Sequence, residues 1–357
     1  MRKGITAIGL LALAAAPAPL MGQDAPALST QLHTALDDFF DPLVFPGATA
    51  AFVLPDGTVV TAATGLADVE NARAMTPETP MLAASIGKTF VAAAVLALES
   101  EGALSRADLL SANLGGRLWF DALPNADSIT IGHLVHHTSG LPDHVHLPAF
   151  QQDWARLTTD EGDFDPEHLL TFVVGEAPLF EAGTAWAYSD TGYVLLGLAI
   201  EAVTGRPWPE AVITRFLVPL GLTGIFPSDR PDLPGLAVGY VAPGNPFGLP
   251  ERTADLEGRL LWNPAVEYAG GGFAATSADL ARWGHLLFGG EAMDTPYLDR
   301  MLDGMPIDPD ASGILYGAGA AIYAETANGT VYGHGGWIPG YVSSLRYYAD
   351  HDEIGRA

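Results

Sequence analysis

The apolar positions Leu28, Leu32, Leu36, Phe39, Phe40 and Leu43 recur at helical spacing, and predict an amphipathic helix near the start of the chain. The next segment, "ATAAFVLPDGTVVTAATG", changes period. Two β-prone runs flank Pro55-Asp56-Gly57, a turn sequence, so a hairpin is expected. From Ser85 to about Leu222 the pattern is mostly helical, punctuated by Gly and Pro. Within it, "TTDEGDFDPEHLLTFVVGE" carries a helix start at Asp165-Pro166. Phe226 to Glu251 is rich in Pro and Gly and reads as an irregular excursion. "ATSADLARWGHLLFGG" predicts a helix capped by Thr276 or Ser277 and ended by Gly289. The period returns to two in "YGAGAAIYAE", "TVYGHGG" and "YVSSLRYYAD", with Asn328-Gly329 as a hairpin turn.

Strands at both ends around a helical middle predict an α+β fold. One antiparallel sheet is expected from both chain ends, flanked by helices, with a mostly helical region inserted. The sheet part covers about 24–80 and 313–357, and the helical part about 81–312. A cleft between two such parts is where a small-molecule site is expected. No internal repeat or low-complexity tract is present.

Composition narrows the setting. With 48% hydrophobic and only 16% charged residues, the chain can build a sizeable core. Acids outnumber bases 42 to 16, for a formal charge of −26, and no basic run occurs. Such a surface repels nucleic acid and anionic lipid, so neither is expected as a partner. Arg2 and Lys3, the short apolar run Gly4 to Ala16, and the small residues through Gly22 read as a secretion signal, about 1–23. The expected destination is the periplasm or the exterior. There is no cysteine, which excludes thiol catalysis, disulfides, Cys-ligated zinc and a lipid anchor on Cys. No other apolar run is long enough for a membrane helix.

Candidate chemistry begins at "LAASIGKTFVAAAVLALESEG". Ser85 and Lys88 stand three apart at the mouth of an apolar helix and so share a face. A serine hydroxyl needs a base, and a buried lysine can serve as one. The plain alternative is a Ser N-cap beside a snorkelling Lys, and S-x-x-K alone does not separate the two. "AYSDTGYVLLGLAIEAVTG" adds Tyr188-Ser189-Asp190 before another apolar helix; a tyrosine near a lysine can shuttle protons. "TVYGHGGWIPGYVSS" adds His334-Gly335-Gly336 at a strand end, where small residues allow close approach to a ligand.

With these segments in place, the chain resembles the serine β-lactamase and penicillin-binding-protein superfamily. The closest branch is that of class C β-lactamases, DD-peptidases and family VIII esterases. Its marks are S-x-x-K, Y-x-N, and K-T-G or H-x-G; here they stand as "SIGK", "YSD" and "HGG", in order. "HHTSGLPD", "PLGLTG" and "GGGFAATSADLARW" are similar to further stretches of that branch, and the likeness covers nearly all of residues 24–357. The resemblance implies a β-lactamase/DD-peptidase-like fold. It implies an acyl-enzyme on Ser85, with Lys88 as proton-transfer partner and Tyr188 as general base and leaving-group acid. His334 takes the place of the third-motif cation. Asp190, Gly335, Gly336 and Trp337 fall at substrate-binding positions, with the Ser85 and Trp337 amides as oxyanion hole. It implies no metal and no cofactor. The partner is a small ester, amide or peptide.

Three departures bear on substrate. Asp190 replaces an Asn; a carboxylate cannot donate to a substrate carbonyl, and it can pair with Lys88, which favours Tyr188 as base. The alternative is a mere acceptor for Lys88. His334 replaces a Lys, and a histidine is mostly neutral at neutral pH. Both point to carboxylic esters first, with D-amino-acid peptidase, DD-carboxypeptidase or weak β-lactamase activity next. Third, "SSLRYYADHDEIGRA" stops as another strand begins, so the C-terminal strand and covering helix of the family are expected to be cut short. That would leave an exposed edge prone to aggregation.

Three rival readings are weaker. Ala83-Ala84-Ser85-Ile86-Gly87 fits a loosened nucleophile elbow, but the run from Met81 is a poor strand and Lys88 and Tyr188 would stand idle. His133, His136, His137, His144 and His146 could bind zinc, yet no H-E-x-x-H pattern occurs. An inactive, peptidoglycan-binding or partner-binding relative would not need the serine, lysine and tyrosine kept here. Gly270 to Gly272 do not form a nucleotide-binding fingerprint.

Overall fold

A computed structural model describes residues 25–159, 164–308 and 313–351. The expected secretion signal lies outside the described residues. Helix α1 (Ala25–Phe39) opens the described chain, with Leu28 as its buried anchor. Strands β1 (Gly47–Val53) and β2 (Val59–Asp68) form the expected hairpin, in register from Val53 opposite Val59 to Gly47 opposite Gly65. Gly57 takes φ +83°, which its turn requires, and Asp56 accepts from the Thr58 amide at 2.9 Å. Strand β3 (Arg73–Ala74) completes a three-stranded sheet.

Strand β4 (Met81–Leu82) leads into a 3₁₀ turn, Ala84–Ile86, and then helix α2 (Gly87–Ser100). From Gly87 to Leu98 every residue of α2 is buried, as a helix apolar on all sides must be. Short helices α3 (Ser111–Leu114) and α4 (Ile131–Val135), then α5 (Pro148–Thr159) and α6 (Glu167–Leu170), lead to α7 (Asp190–Thr204) and α8 (Trp208–Val212). The helix expected from Asp165-Pro166 is a single turn. Helix α7 ends on Gly205 at φ +68°, the left-handed cap glycine favours. Strand β6 (Phe273–Ala275) pairs with β4 on one side and β5 (Ile225–Pro227) on the other, in a small sheet inside the helical region. Between them, the expected irregular excursion is held by long-range contacts. Arg252 reaches across to Asp68 (2.7 Å) and Glu70, and the Tyr240 hydroxyl donates to Glu70 at 2.6 Å.

Helix α9 (Ser277–Phe288) is capped by Thr276, whose hydroxyl accepts from the Asp279 amide at 3.3 Å, and ends at Gly289. Helix α10 (Leu298–Met301) precedes the closing strands β7 (Met305–Pro306), β8 (Ile314–Tyr316), β9 (Ala321–Thr326), β10 (Gly329–Ile338) and β11 (Tyr341–Tyr348). These form an antiparallel ladder in the order β11-β10-β9-β8-β7. The α+β class stands. The expectation of one sheet shared by both chain ends needs correction: among the described residues the two sets of strands form separate sheets. Helix α9 packs against β1 and β2 of one sheet and β11 of the other, so both sets of strands meet the same helix.

Candidate active site

Ser85 sits in the 3₁₀ turn ahead of α2. It is not a helix cap: the N-cap of α2 is Ile86, which makes no side-chain capping bond. Ala84, just before it, is wholly buried at φ +49°, a left-handed conformation that costs an alanine roughly 1 kcal/mol. Neighbouring elements hold this turn. The Ser343 hydroxyl donates to the Ala83 carbonyl at 2.8 Å. A Cβ on Gly336 would lie 2.3 Å from that carbonyl, and one on Gly87 would lie 1.8 Å from the Gly271 carbonyl. Glycine at 336 therefore lets β10 lie directly against the Ser85 turn.

Lys88 does not snorkel. It is fully buried, and its Nζ donates to Ser85 Oγ (3.2 Å), to Asp190 Oδ1 and to the Gly270 carbonyl. Three acceptors match the three N–H bonds of an ammonium. Asp190, at the start of α7 and partly exposed, thus forms an ion pair with the buried Lys88. Tyr188 lies two residues before it, its ring centroid 4.9 Å from Lys88 Nζ. Burial first, then the nearby Asp190 charge, hold the Tyr188 phenol well above its usual pKa, while a hydrogen bond with Ser85 works the other way.

His334 is buried and neutral. Burial, reinforced by the Lys88 charge, lowers its pKa to about 3. Its Nδ1 faces the Gly335 carbonyl and its Nε2 lies 2.9 Å from the Tyr316 hydroxyl. Nδ1 therefore carries the proton and Nε2 accepts from Tyr316. No constant positive charge stands at this position. Gly335 is exposed, and Trp337 is 48% exposed with its ring 5.7 Å from Phe247 of the excursion. Phe247 in turn lies against Trp154, giving the site an aromatic wall.

The structure thus gathers Ser85, Lys88, Tyr188 and Asp190 at one point, with β10 and its His334, Gly335, Gly336 and Trp337 alongside. Sequence reasoning missed Tyr316, the Gly270 carbonyl, and two buried carboxyls. Burial raises the pKa of Glu267 to about 8, and one of its oxygens has no hydrogen-bond partner among the described residues. Burial also raises Asp143 to about 8, with Asp190 adding repulsion. A lone acidic residue in the otherwise uncharged, glycine-rich run from Pro264 to Gly272 could have drawn notice to Glu267; nothing local marks Tyr316. The histidines considered as metal ligands form no group that could hold a metal among the described residues. His133 accepts from the Thr130 amide in a capping box, His144 meets the Thr191 hydroxyl at 3.1 Å, and His146 is exposed.

Comparison with known proteins places the chain in a family. The sequence model of the family described as Beta-lactamase matches residues 36–355. Penicillin-binding protein 4* of Bacillus subtilis (strain 168) is 25% identical over 292 residues, 80% of this chain; the chain spans 62% of that protein's length. Esterase EstB of Burkholderia gladioli is 31% identical over 203 residues, covering 56% of this chain and 51% of the esterase. Among solved structures, a D-stereospecific amidohydrolase from Streptomyces sp. superposes with a TM-score of 0.77 at 27% identity, covering 93% of each chain. With the family model matching most of the chain and the fold shared with these relatives, the chain belongs to the beta-lactamase family.

Proposed function

We propose that this protein is an exported carboxylic-ester hydrolase that works through an acyl-enzyme on Ser85. The observation that carries the reading is the fully buried Lys88 ammonium, shared among Ser85, Asp190 and the Gly270 carbonyl. An ammonium so held cannot accept the Ser85 proton, which leaves Tyr188 as the relay. Ser85 Oγ attacks the ester carbonyl carbon, and its proton passes to Tyr188 Oη as the phenol hands its own proton to the leaving alkoxide. No phenolate accumulates, in keeping with the raised phenol pKa. In the second half a water attacks the acyl carbon, gives a proton to Tyr188, and the phenol returns one to Ser85 Oγ. The Ser85 and Trp337 amides are the proposed oxyanion hole; the contact of Gly336 with Ala83 and Ala84 brings their backbones together.

Esters suit the site for two reasons. Asp190 has no N–H to clamp an amide substrate's carbonyl, and neutral His334 offers no charge to a substrate carboxylate. A second reading, hydrolysis of D-amino-acid amides, is favoured by the likeness to the Streptomyces amidohydrolase. Export rests on Arg2, Lys3 and the apolar run after them. Among the described residues no helix is long and apolar enough to cross a membrane.

The test is intact-mass analysis after treatment with a fluorophosphonate, followed by initial rates on p-nitrophenyl esters and on D-amino-acid p-nitroanilides. One adduct is expected, absent in Ser85→Ala, with faster turnover of the esters. No adduct on a protein folded by circular dichroism would overturn the acyl-enzyme. Faster turnover of the anilides would replace the first reading by the second.

A further inference from the structure

The loop after α4 contains a residue that touches the main chain on both sides of Tyr188. The His137 carbonyl accepts from the Ala187 amide at 3.0 Å, and its ring Nδ1 accepts from the Ser189 amide at 3.2 Å. Between these two bonds its ring lies on the Tyr188 ring, centroids 4.3 Å apart and planes 34° apart. Reaching all three contacts requires an unusual backbone: His137 sits at φ +57°, where few non-glycine residues go. We infer that His137 is a positioning residue for the reaction, fixing the Tyr188 phenol toward Ser85 by clamping the backbone around it and covering its ring.

The ring's protonation state supports that role. Because Nδ1 accepts a hydrogen bond, the proton of the neutral imidazole is on Nε2. That atom is buried with no hydrogen-bond partner among the described residues, and the ring that carries it is in contact with the rings of Tyr188, Tyr193, Tyr316 and Trp186. Burial and the Lys88 charge keep the imidazole neutral. A buried N–H without a partner is a cost that a purely space-filling residue would avoid. The surrounding loop is fastened as well. Asn125 donates to the Ser139 and Phe180 carbonyls, and Ser189 and Thr191 donate to the Pro142 carbonyl. The clamp therefore stands on a rigid base, as a group that fixes a proton relay must.

The inference rests on the reading of Tyr188 as relay, and a double-mutant cycle separates the two. Ester turnover is measured for Tyr188→Phe, His137→Phe, His137→Asn and the His137 variants in the Tyr188→Phe background, with folding followed by circular dichroism. His137→Phe keeps a ring but loses the acceptor, and should lower kcat about 100-fold with KM within about twofold. Asparagine tolerates this backbone and can accept from the Ser189 amide, so His137→Asn should recover about tenfold of that loss. In the Tyr188→Phe background both His137 changes should cost no more than about threefold. A folded His137→Phe with kcat within about threefold of the parent, or losses equally large in both backgrounds, would overturn the inference. If His137→Phe does not fold, His137→Asn decides alone by the same comparison. Full activity in Tyr188→Phe would remove the relay reading and this inference with it, whereas a large loss there with additive His137 effects would sink only the inference.

Discussion

An amide at position 190 could donate to a substrate carbonyl; the carboxylate that stands there accepts from Lys88 instead. That exchange of one atom has two expected consequences. Asp190→Asn strips the buried Lys88 ammonium of its partly exposed counter-charge, which should cost about 1–3 kcal/mol, between the values for exposed and fully buried pairs, seen as a lower melting temperature. It also supplies the missing N–H, so the ratio of kcat/KM for D-amino-acid anilides over p-nitrophenyl esters should rise. A ratio that stays put or falls would show that Asp190 does not set this preference. Much of the residue-level site was legible in advance, because Ser85, Lys88, Tyr188 and His334 sit in short local patterns whose chemistry is recognisable residue by residue. The Gly270 carbonyl, Tyr316 and the His137 clamp were not. Each acts on a partner far along the chain, and a backbone carbonyl or a lone tyrosine has no local pattern to announce it. The cap-and-snorkel alternative for Ser85 and Lys88 could be decided only by burial, which no spacing encodes.

At the scale of elements, the site depends on β10 lying against the Ser85 turn, and adjacent glycines bear on this differently. A Cβ at Gly336 would lie 2.2 Å from Ser343 Oγ and 2.3 Å from the Ala83 carbonyl; one at Gly335 would find its nearest neighbour at 3.9 Å. Gly336→Ala must push the strand off the turn, and is expected to destabilise the fold by about 1–3 kcal/mol and to lower the rate of fluorophosphonate labelling. Gly335→Ala should leave stability within about 0.5 kcal/mol. Equal melting temperatures for the two variants would show that β10 does not press on the turn as drawn. Hairpins and helices were readable because turn residues and apolar period are local properties. The separation of the terminal strands into two sheets was not. Sheet membership is fixed by which backbones meet, and here α9 lies across β1, β2 and β11.

For the whole molecule, the buried titratable groups set opposing limits on stability. His137, His144 and His334 are held below the usual histidine pKa by burial, His144 to about 4 and His334 to about 3. Below pH ~6.5 the unfolded chain binds protons at these positions that the folded chain refuses, so stability falls as pH drops from there toward 4. Glu267 and Asp143 behave in the opposite sense. Burial raises both to about 8, so between pH ~4 and 8 the unfolded chain releases protons that the folded chain keeps. Their effect is to lower stability as pH rises through that window, by at most about 1.4 kcal/mol per pH unit for each group. Three histidines outweigh two carboxyls below pH ~6.5, and above it only the carboxyls remain; self-repulsion from the charge of −26 adds to the alkaline decline. The melting temperature should therefore peak near pH ~6.5 and fall on both sides. Glu267→Gln removes one of the two contributions that lower stability between pH ~4 and 8, so it should roughly halve the fall between pH 6.5 and 8 and steepen the fall from pH 6.5 toward 4, where that carboxyl partly offsets the histidines. A parent protein whose melting temperature climbs steadily to pH 8, or a Glu267→Gln variant with the parent's alkaline slope, would mean that Glu267 is ionised in the folded state and that its carboxylate, not its acid, faces the Lys88–Asp190 pair.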